Sequence, residues 1–295
     1  MKTINVYIEE KLRISSNTIH NEHTLFPKNR PELIKMIEQE IKKNGNKCNL
    51  NHIDVSQITD LSKLFFSSNF IGDISNWNVS STTNMCRMFD SFGRAAKTLS
   101  IGDLSKWNVS NVTNMEFLFR SVGYEASSFN IGNLSNWDTS KVTNMQHLFA
   151  YSGKNSKVWY VGDLSKWDVS NVTTMNYMFY GAGENTSNWT IGNVSKWNTS
   201  KVTTMKGMFQ GAGYNATTWS VGDLSKWDVS NVEDMSFMFR NTDFNGDISL
   251  WDVSKVKTFR YMFCDAESFN QPIGDWNVYN VKNMHGMFAN AKRFN

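Results

Sequence analysis

Tryptophan recurs in this chain at a fixed period and with the same neighbours. It stands at Trp77, Trp107, Trp137, Trp167, Trp197, Trp227, Trp251 and Trp276, spaced by 30 residues for five steps, then by 24 and 25. Self-similarity in this range means a repeat architecture, in which each unit buries its apolar face only against its neighbours. A degenerate copy, Ile53-Asp54-Val55-Ser56 with Leu64-Phe65, lies 24 residues ahead of the first and makes nine. The 295 residues therefore divide into a repeat domain, 50–295, and a non-repetitive segment, 1–49.

The unit around Trp167 sets the expected fold class. Leu164, Trp167 and Val169 are spaced L-x-x-W-x-V around a polar Asp168, which predicts a very short strand entered through a turn at Gly162-Asp163. Val172, Met175, Met178 and Phe179 then fall on one helical face, with Ser170 or Thr173 placed to cap it, which predicts a short helix. The expected class is an α/β solenoid with a short parallel strand and a short helix per repeat. The 30-residue copies carry an insertion in the return loop, as at 180–189. Consecutive insertions predict a shelf on one side of the middle coils. Every return loop ends on a large residue, from Phe70 through Leu99, Phe129, Trp159, Trp189, Trp219 and Phe244 to Phe269, which predicts a second aromatic row.

Ahead of the repeats, Ile4, Val6 and Ile8, then Leu12 and Ile14, alternate with polar residues and predict one or two short strands. Residues 32–43 place Leu33, Ile34, Ile37 and Ile41 at helical spacing, with Pro31 at the start and Lys42-Lys43 at the end. Such a helix suits an N-terminal cap over the first coil. At the other end Ala291-Lys292-Arg293-Phe294-Asn295 aligns with Ala266-Glu267-Ser268-Phe269-Asn270, one repeat earlier. The last repeat thus reads as uncapped, and an open sheet edge predicts end-to-end self-association or an end shielded only by its last helix and Phe294.

The pattern D-I-S-x-W-[ND]-[VT]-S-x-V-T-x-M-x-x-M-F, as at 73–89 and 163–179, resembles the bacterial surface-protein repeat of roughly 25 residues found in BspA-like leucine-rich proteins and mycoplasma surface lipoproteins. The resemblance implies a right-handed, leucine-rich-repeat-like solenoid used for adhesion and protein binding, placed at the cell surface or secreted. It implies no catalytic residues. The chain as given shows no signal-peptide pattern or lipobox and by itself reads as cytoplasmic.

Other chemistry finds little support. A formal charge of +3, with 30 basic and 27 acidic residues scattered along the chain, offers no basic face for nucleic acid. No segment has the ~20 apolar residues of a membrane span. The five histidines share no phase and sit at no metal-ligand spacing, and Cys48, Cys86 and Cys264 are an odd set that reads as free thiols. The serine after each strand recurs once per repeat, which fits a structural hydrogen bond and not a nucleophile. No cofactor and no enzymatic activity are expected.

The expected role is recognition of a protein partner through the outward sheet face or the shelf of expanded loops. The residues beside each strand tryptophan should point outward and form ladders: Lys106, Asn108, Asp138, Lys166, Asp168, Lys196, Asn198, Lys226 and Asp228. The alternative partner is carbohydrate, stacked on Trp159, Trp189 and Trp219 if that row faces solvent.

Overall fold

The computed structural model of the protein describes residues 23–99 and 101–295, so the strands expected between Ile4 and Ile14 lie outside the described residues. Among the described residues one α-helix is present, α1 (Arg30–Asn44). Its start follows from capping: the Asn29 side chain accepts the Glu32 N–H at 3.0 Å, and Pro31 occupies the first turn. It ends at Gly45, whose φ of 80° lets its N–H return to Ile41 O at 2.8 Å. Leu33 and Ile37 are buried against the first coil, and the Arg30 guanidinium donates to Ser62 O, a half-buried carbonyl of that coil.

Consecutive repeats lie side by side in register. Parallel bridges run Asp60, Asn84, Asn114, Asn144, Thr174, Thr204, Asp234, Thr258, Asn283, one residue per repeat, linking nine coils among the described residues. This ladder does not run through the tryptophan segment, where a strand is expected. Leu164–Lys166 is a single 3-10 turn capped by Asp163, and Trp167 follows in extended backbone without a ladder partner.

The ladder instead runs through the segment expected to be helical. Met175, Tyr177, Phe179 and Gly181 donate N–H groups to Thr204, Lys206, Met208 and Gln210 of the next coil at 2.7–3.2 Å. The intervening N–H groups close turns within the coil, Met178 to Met175 O, Tyr180 to Tyr177 O and Ala182 to Phe179 O. An α-helix would spend nearly all of these donors on itself and leave adjacent coils unbonded. The alternating arrangement needs two left-handed residues per coil, Tyr177 (φ 55°) and Gly181 (φ 60°) here. The same two rows elsewhere hold Arg87, Phe117, His147 and Phe237, and Ser91, Ser121 and Tyr151. Left-handed backbone at such residues is costly, by about 1 kcal/mol or more each, and the inter-coil ladder offsets it.

The side chains expected inside are inside. Leu164, Trp167, Val169, Val172, Met175, Met178 and Phe179 are each at most 3% exposed. A turn that closes i to i+3 repeats its inward face at nearly the helical spacing, so the pattern reports burial but not backbone type. Each strand-segment tryptophan also has a polar task. From Trp77 to Trp276 the indole Nε1 donates to a carbonyl of the preceding coil at 2.9–3.3 Å, as Trp167 does to Leu134 O.

The inserted return loops form the short strands β1 (Ser128–Asn130), β2 (Val158–Tyr160), β3 (Asn188–Thr190) and β4 (Thr218–Ser220), paired in parallel as β1 with β2 and β3 with β4. The second aromatic row runs along them: Phe129 stacks on Trp159, Trp159 on Trp189, and Trp189 on Trp219, with ring centres 5.4–6.0 Å apart. Cys48, Cys86 and Cys264 are free thiols.

Candidate functional site

Of the expected recognition residues, the lysines are free and the amides and carboxylates are largely committed. Lys106, Lys166, Lys196 and Lys226 are exposed, and none pairs with a carboxylate among the described residues. Asn108, Asp138, Asp168, Asn198 and Asp228 each accept the backbone N–H of the residue two on, at 2.9–3.1 Å. They build the turn that follows the tryptophan. The Ser140 hydroxyl, with the Ser140 N–H, holds the Asp138 carboxyl below its ordinary range. The same device sets the 3-10 turns and the bridge row, as in Asp163 to Ser165 N and Asn144 to Gln146 N. These residues therefore do not stand in the side-by-side ladders of a sheet, because the inter-coil bridges lie elsewhere.

The loop row faces inward. Trp159 is 5% exposed and Trp189 fully buried; only Trp219 is half-buried. Trp159 Nε1 donates to Ser152 Oγ and Trp219 Nε1 to Ala212 O, so these polar tips also point into the protein. The surface on which carbohydrate was expected to stack is core. Outside this row the shelf leaves Val158 and Tyr160 exposed beside a cleft of about 500 Å³ between β2 and β3.

A different surface gathers chemistry, on the outer side of the ladder wall. The left-handed residues turn their side chains outward, and the 30-residue period brings equivalent positions into file. One file is Arg87, Phe117, His147, Tyr177: the guanidinium lies 4.0 Å from the Phe117 ring centre, and the next two stacked pairs are 4.6 and 4.8 Å apart. It ends where the edge of the Tyr177 ring meets Gly207, at which any Cβ would overlap the ring. A second file pairs Tyr151 with Tyr180 at 4.5 Å, and Tyr151 meets Gly181 in the same way. A third, in the insertions, is Arg94, Tyr124, Lys154, Glu184, Tyr214, each 30 residues after the last.

Between the second and third files runs a cleft of about 360 Å³ that continues into another of about 350 Å³, sharing Tyr151, Lys154 and Tyr180. Beneath it Asp90, fully buried, accepts from Arg120 at 2.8 Å and Arg87 at 3.2 Å. Burial, followed by a hydrogen bond to Tyr180, pushes the Tyr151 phenol above its ordinary range. His147 is pushed down to about 4, first by burial and then by the Arg120 and Arg87 charges.

The His147 shift fixes the sign of a pH effect. Its folded pKa lies below the unfolded value near 6.5, so the unfolded chain takes the proton first. The stabilisation is complete above about pH 6.5 and is lost as pH falls towards 4, by on the order of 1 kcal/mol once solvent screening of a half-exposed ring is allowed for. His147→Phe retains the stack, so its urea midpoint should fall less than the parent's between pH 7.5 and 4.5. Equal falls would mean His147 does not carry this linkage.

Sequence reasoning pointed to the expanded loops but did not name these residues, because it chose candidates by the tryptophan phase. The file from Arg87 to Tyr177 and the file from Arg94 to Tyr214 share the 30-residue period, the first four residues before and the second one residue after each Gly-Ala-Gly-like segment. Among the described residues there is no group of three His, Cys, Asp or Glu side chains able to hold a metal ion, and no helix long and apolar enough to cross a membrane.

Residues 32–157, 120–214 and 213–295 match the family described as "Mycoplasma protein of unknown function, DUF285". The chain belongs to this family. The three overlapping matches cover the repeats and the helix before them, so membership rests on the whole array and not on one motif. No curated protein and no solved structure matches the chain.

Proposed function

We propose that this repeat protein is a non-enzymatic protein-binding module, a right-handed solenoid of leucine-rich-repeat type displayed at a cell surface, whose recognition site is the tyrosine-lined cleft of the ladder wall. The observation that carries this reading is the concentration of half-exposed Tyr124, Tyr151 and Tyr180 with Arg94, Arg120 and Lys154 in one cleft. Tyrosine and arginine dominate the energetics of protein interfaces, since each presents a large contact area and a polar tip. The cleft also lies over the coils whose return loops are expanded, where the array departs from its minimal repeat. Adhesion follows if the partner is fixed to another surface.

A cross-linked pull-down compares the parent with Tyr151→Ala/Tyr180→Ala and with Lys166→Glu/Lys196→Glu/Lys226→Glu, each first checked for a cooperative melt. Loss of the captured partner with the tyrosine pair and its retention with the lysine triple is the expected result. Retention by the tyrosine pair would remove the cleft from the account, and loss by the lysine triple would return recognition to the face beside the tryptophans.

A further inference from the structure

At one end of the cleft the lining carries cations and no carboxylate. Arg94, Arg120 and Lys154 stand there with three tyrosines, and no aspartate or glutamate lines that part. Two of the cations are answered from outside it: Arg120 reaches down to buried Asp90, and Lys154 reaches along the axis to Glu184 at 3.2 Å. Arg94 is exposed, sits 5.0 Å from the Tyr124 ring centre, and has no carboxylate partner among the described residues. Lys154 Nζ lies 5.5 Å from the ring centres of both Tyr124 and Tyr151. The tyrosines add phenolic O–H groups, and the raised Tyr151 phenol remains a donor across the physiological range. His147, at the cleft's edge, is held down first by burial and then by the Arg120 and Arg87 charges. This end therefore presents hydrogen-bond donors and positive charge over aromatic faces, with Arg94 left without a carboxylate among the described residues and Lys154 held by a single partly exposed one.

The spacing of the cations decides among anions. Arg94 and Lys154 are two repeats apart, so their backbones are separated by about 10 Å at the usual inter-strand distance. One phosphate does not span that gap, whereas carboxylates three residues apart on a polyproline-II chain do, at about 3.1 Å per residue and with three residues per turn keeping both on one face. We propose that this end of the cleft binds an acidic peptide segment of the partner protein, with Arg94 and Lys154 meeting its carboxylates and Tyr124 and Tyr151 packing against the chain between them. The inference rests on the protein-binding reading above and names the chemistry of the partner for that same cleft.

The test uses fluorescence anisotropy of the full chain with a labelled glutamate decamer, a glutamine decamer, heparin, and vesicles containing phosphatidylglycerol. The glutamate peptide should bind with an affinity that falls as salt rises, and the glutamine peptide should not. Arg94→Glu/Lys154→Gln should weaken the glutamate peptide by at least about tenfold, Arg94→Gln alone by less, and Lys226→Glu on the other face should leave it unchanged. Arg94 is exposed, so its substitution does not threaten the fold, and the single variant guards against misfolding of the double. Equal binding of the two peptides, or equal binding by parent and double variant, overturns the proposal. Binding of heparin or vesicles without the glutamate peptide overturns it in favour of a sulfated polysaccharide or a membrane. If the glutamate peptide fails while the tyrosine-dependent pull-down succeeds, only the acidic partner is wrong; if both fail, the protein-binding reading falls with it.

Discussion

Replacing Trp167 by alanine is expected to lower the unfolding free energy by about 3–5 kcal/mol, the range for deleting a large buried aromatic and leaving a cavity. The indole is 3% exposed and lies between coils, with ring centres 6.4 Å from Trp137 and 6.3 Å from Phe149. Its Nε1 donates to Leu134 O at 2.9 Å, a carbonyl that also takes the Trp137 N–H at 3.0 Å. Because the ring belongs to one coil and its acceptor to the previous one, the loss falls on a coil-to-coil interface. That interface is the term that makes a repeat array cooperative. Trp167→Phe should retain most of the bulk and lose the hydrogen bond, at a cost of about 1 kcal/mol for that bond. Lys166→Ala, next to it and exposed, should stay within about 0.5 kcal/mol. Urea unfolding followed by far-ultraviolet dichroism reads all three, and a Trp167→Ala midpoint equal to the parent's would show that the inter-coil stack does not bear on stability.

The inward side chains of Trp167, Val172, Met175 and Phe179 were legible because their period reports distance from the core, whatever the backbone does between them. The backbone was not legible, since helix and stacked turn share the i, i+3, i+4 spacing and differ in where the N–H groups go. That difference depends on the neighbouring coil, which no single repeat contains. The left-handed residues gave no local warning either: Phe117 and Tyr177 are residue types seldom found at φ near 55°, and only the ladder they permit accounts for them. Gly207 and Gly286, in the same file, are the positions where glycine marks the row directly.

The candidate site divides in the same way. Lys166 and Asp168 read as equivalent neighbours of Trp167, and both are exposed, but the aspartate accepts the Ser170 N–H at 2.9 Å. Local turn chemistry, an Asx residue two before a serine, was visible at two places in each repeat from Asp73 to Ser254 and separates the structural oxygens from the free ammonium. Trp159 and Trp189 follow polar runs, which left open a solvent-facing row as the alternative to packing inside; they are core because each return loop folds back over the ladder wall, with Phe179 packed edge-on to both rings. The cleft itself needed the coil geometry, since Arg94, Tyr124 and Lys154 become neighbours only once the 30-residue period is wound into coils.

Arg120→Met is expected to cost about 3 kcal/mol, towards the lower end of what removing one partner from a buried ion pair costs. Asp90 has no solvent contact, and its carboxylate depends on Arg120 at 2.8 Å, Arg87 at 3.2 Å and the Ser91 hydroxyl at 3.2 Å. Arg87 remains in the variant, which is why the loss does not reach the top of the range. The two arginines are about one-third exposed and keep contact with water when the acid is removed. The penalty of Arg120→Met therefore resides in the stranded carboxylate, not in a lost attraction. Asp90→Leu introduced into the Arg120→Met chain should then recover most of the lost stability, so that the double variant is more stable than the arginine variant alone. An additive cycle, in which Asp90→Leu costs further stability in that background, would show that Asp90 is held by its packing against the wall and not by the charges above it.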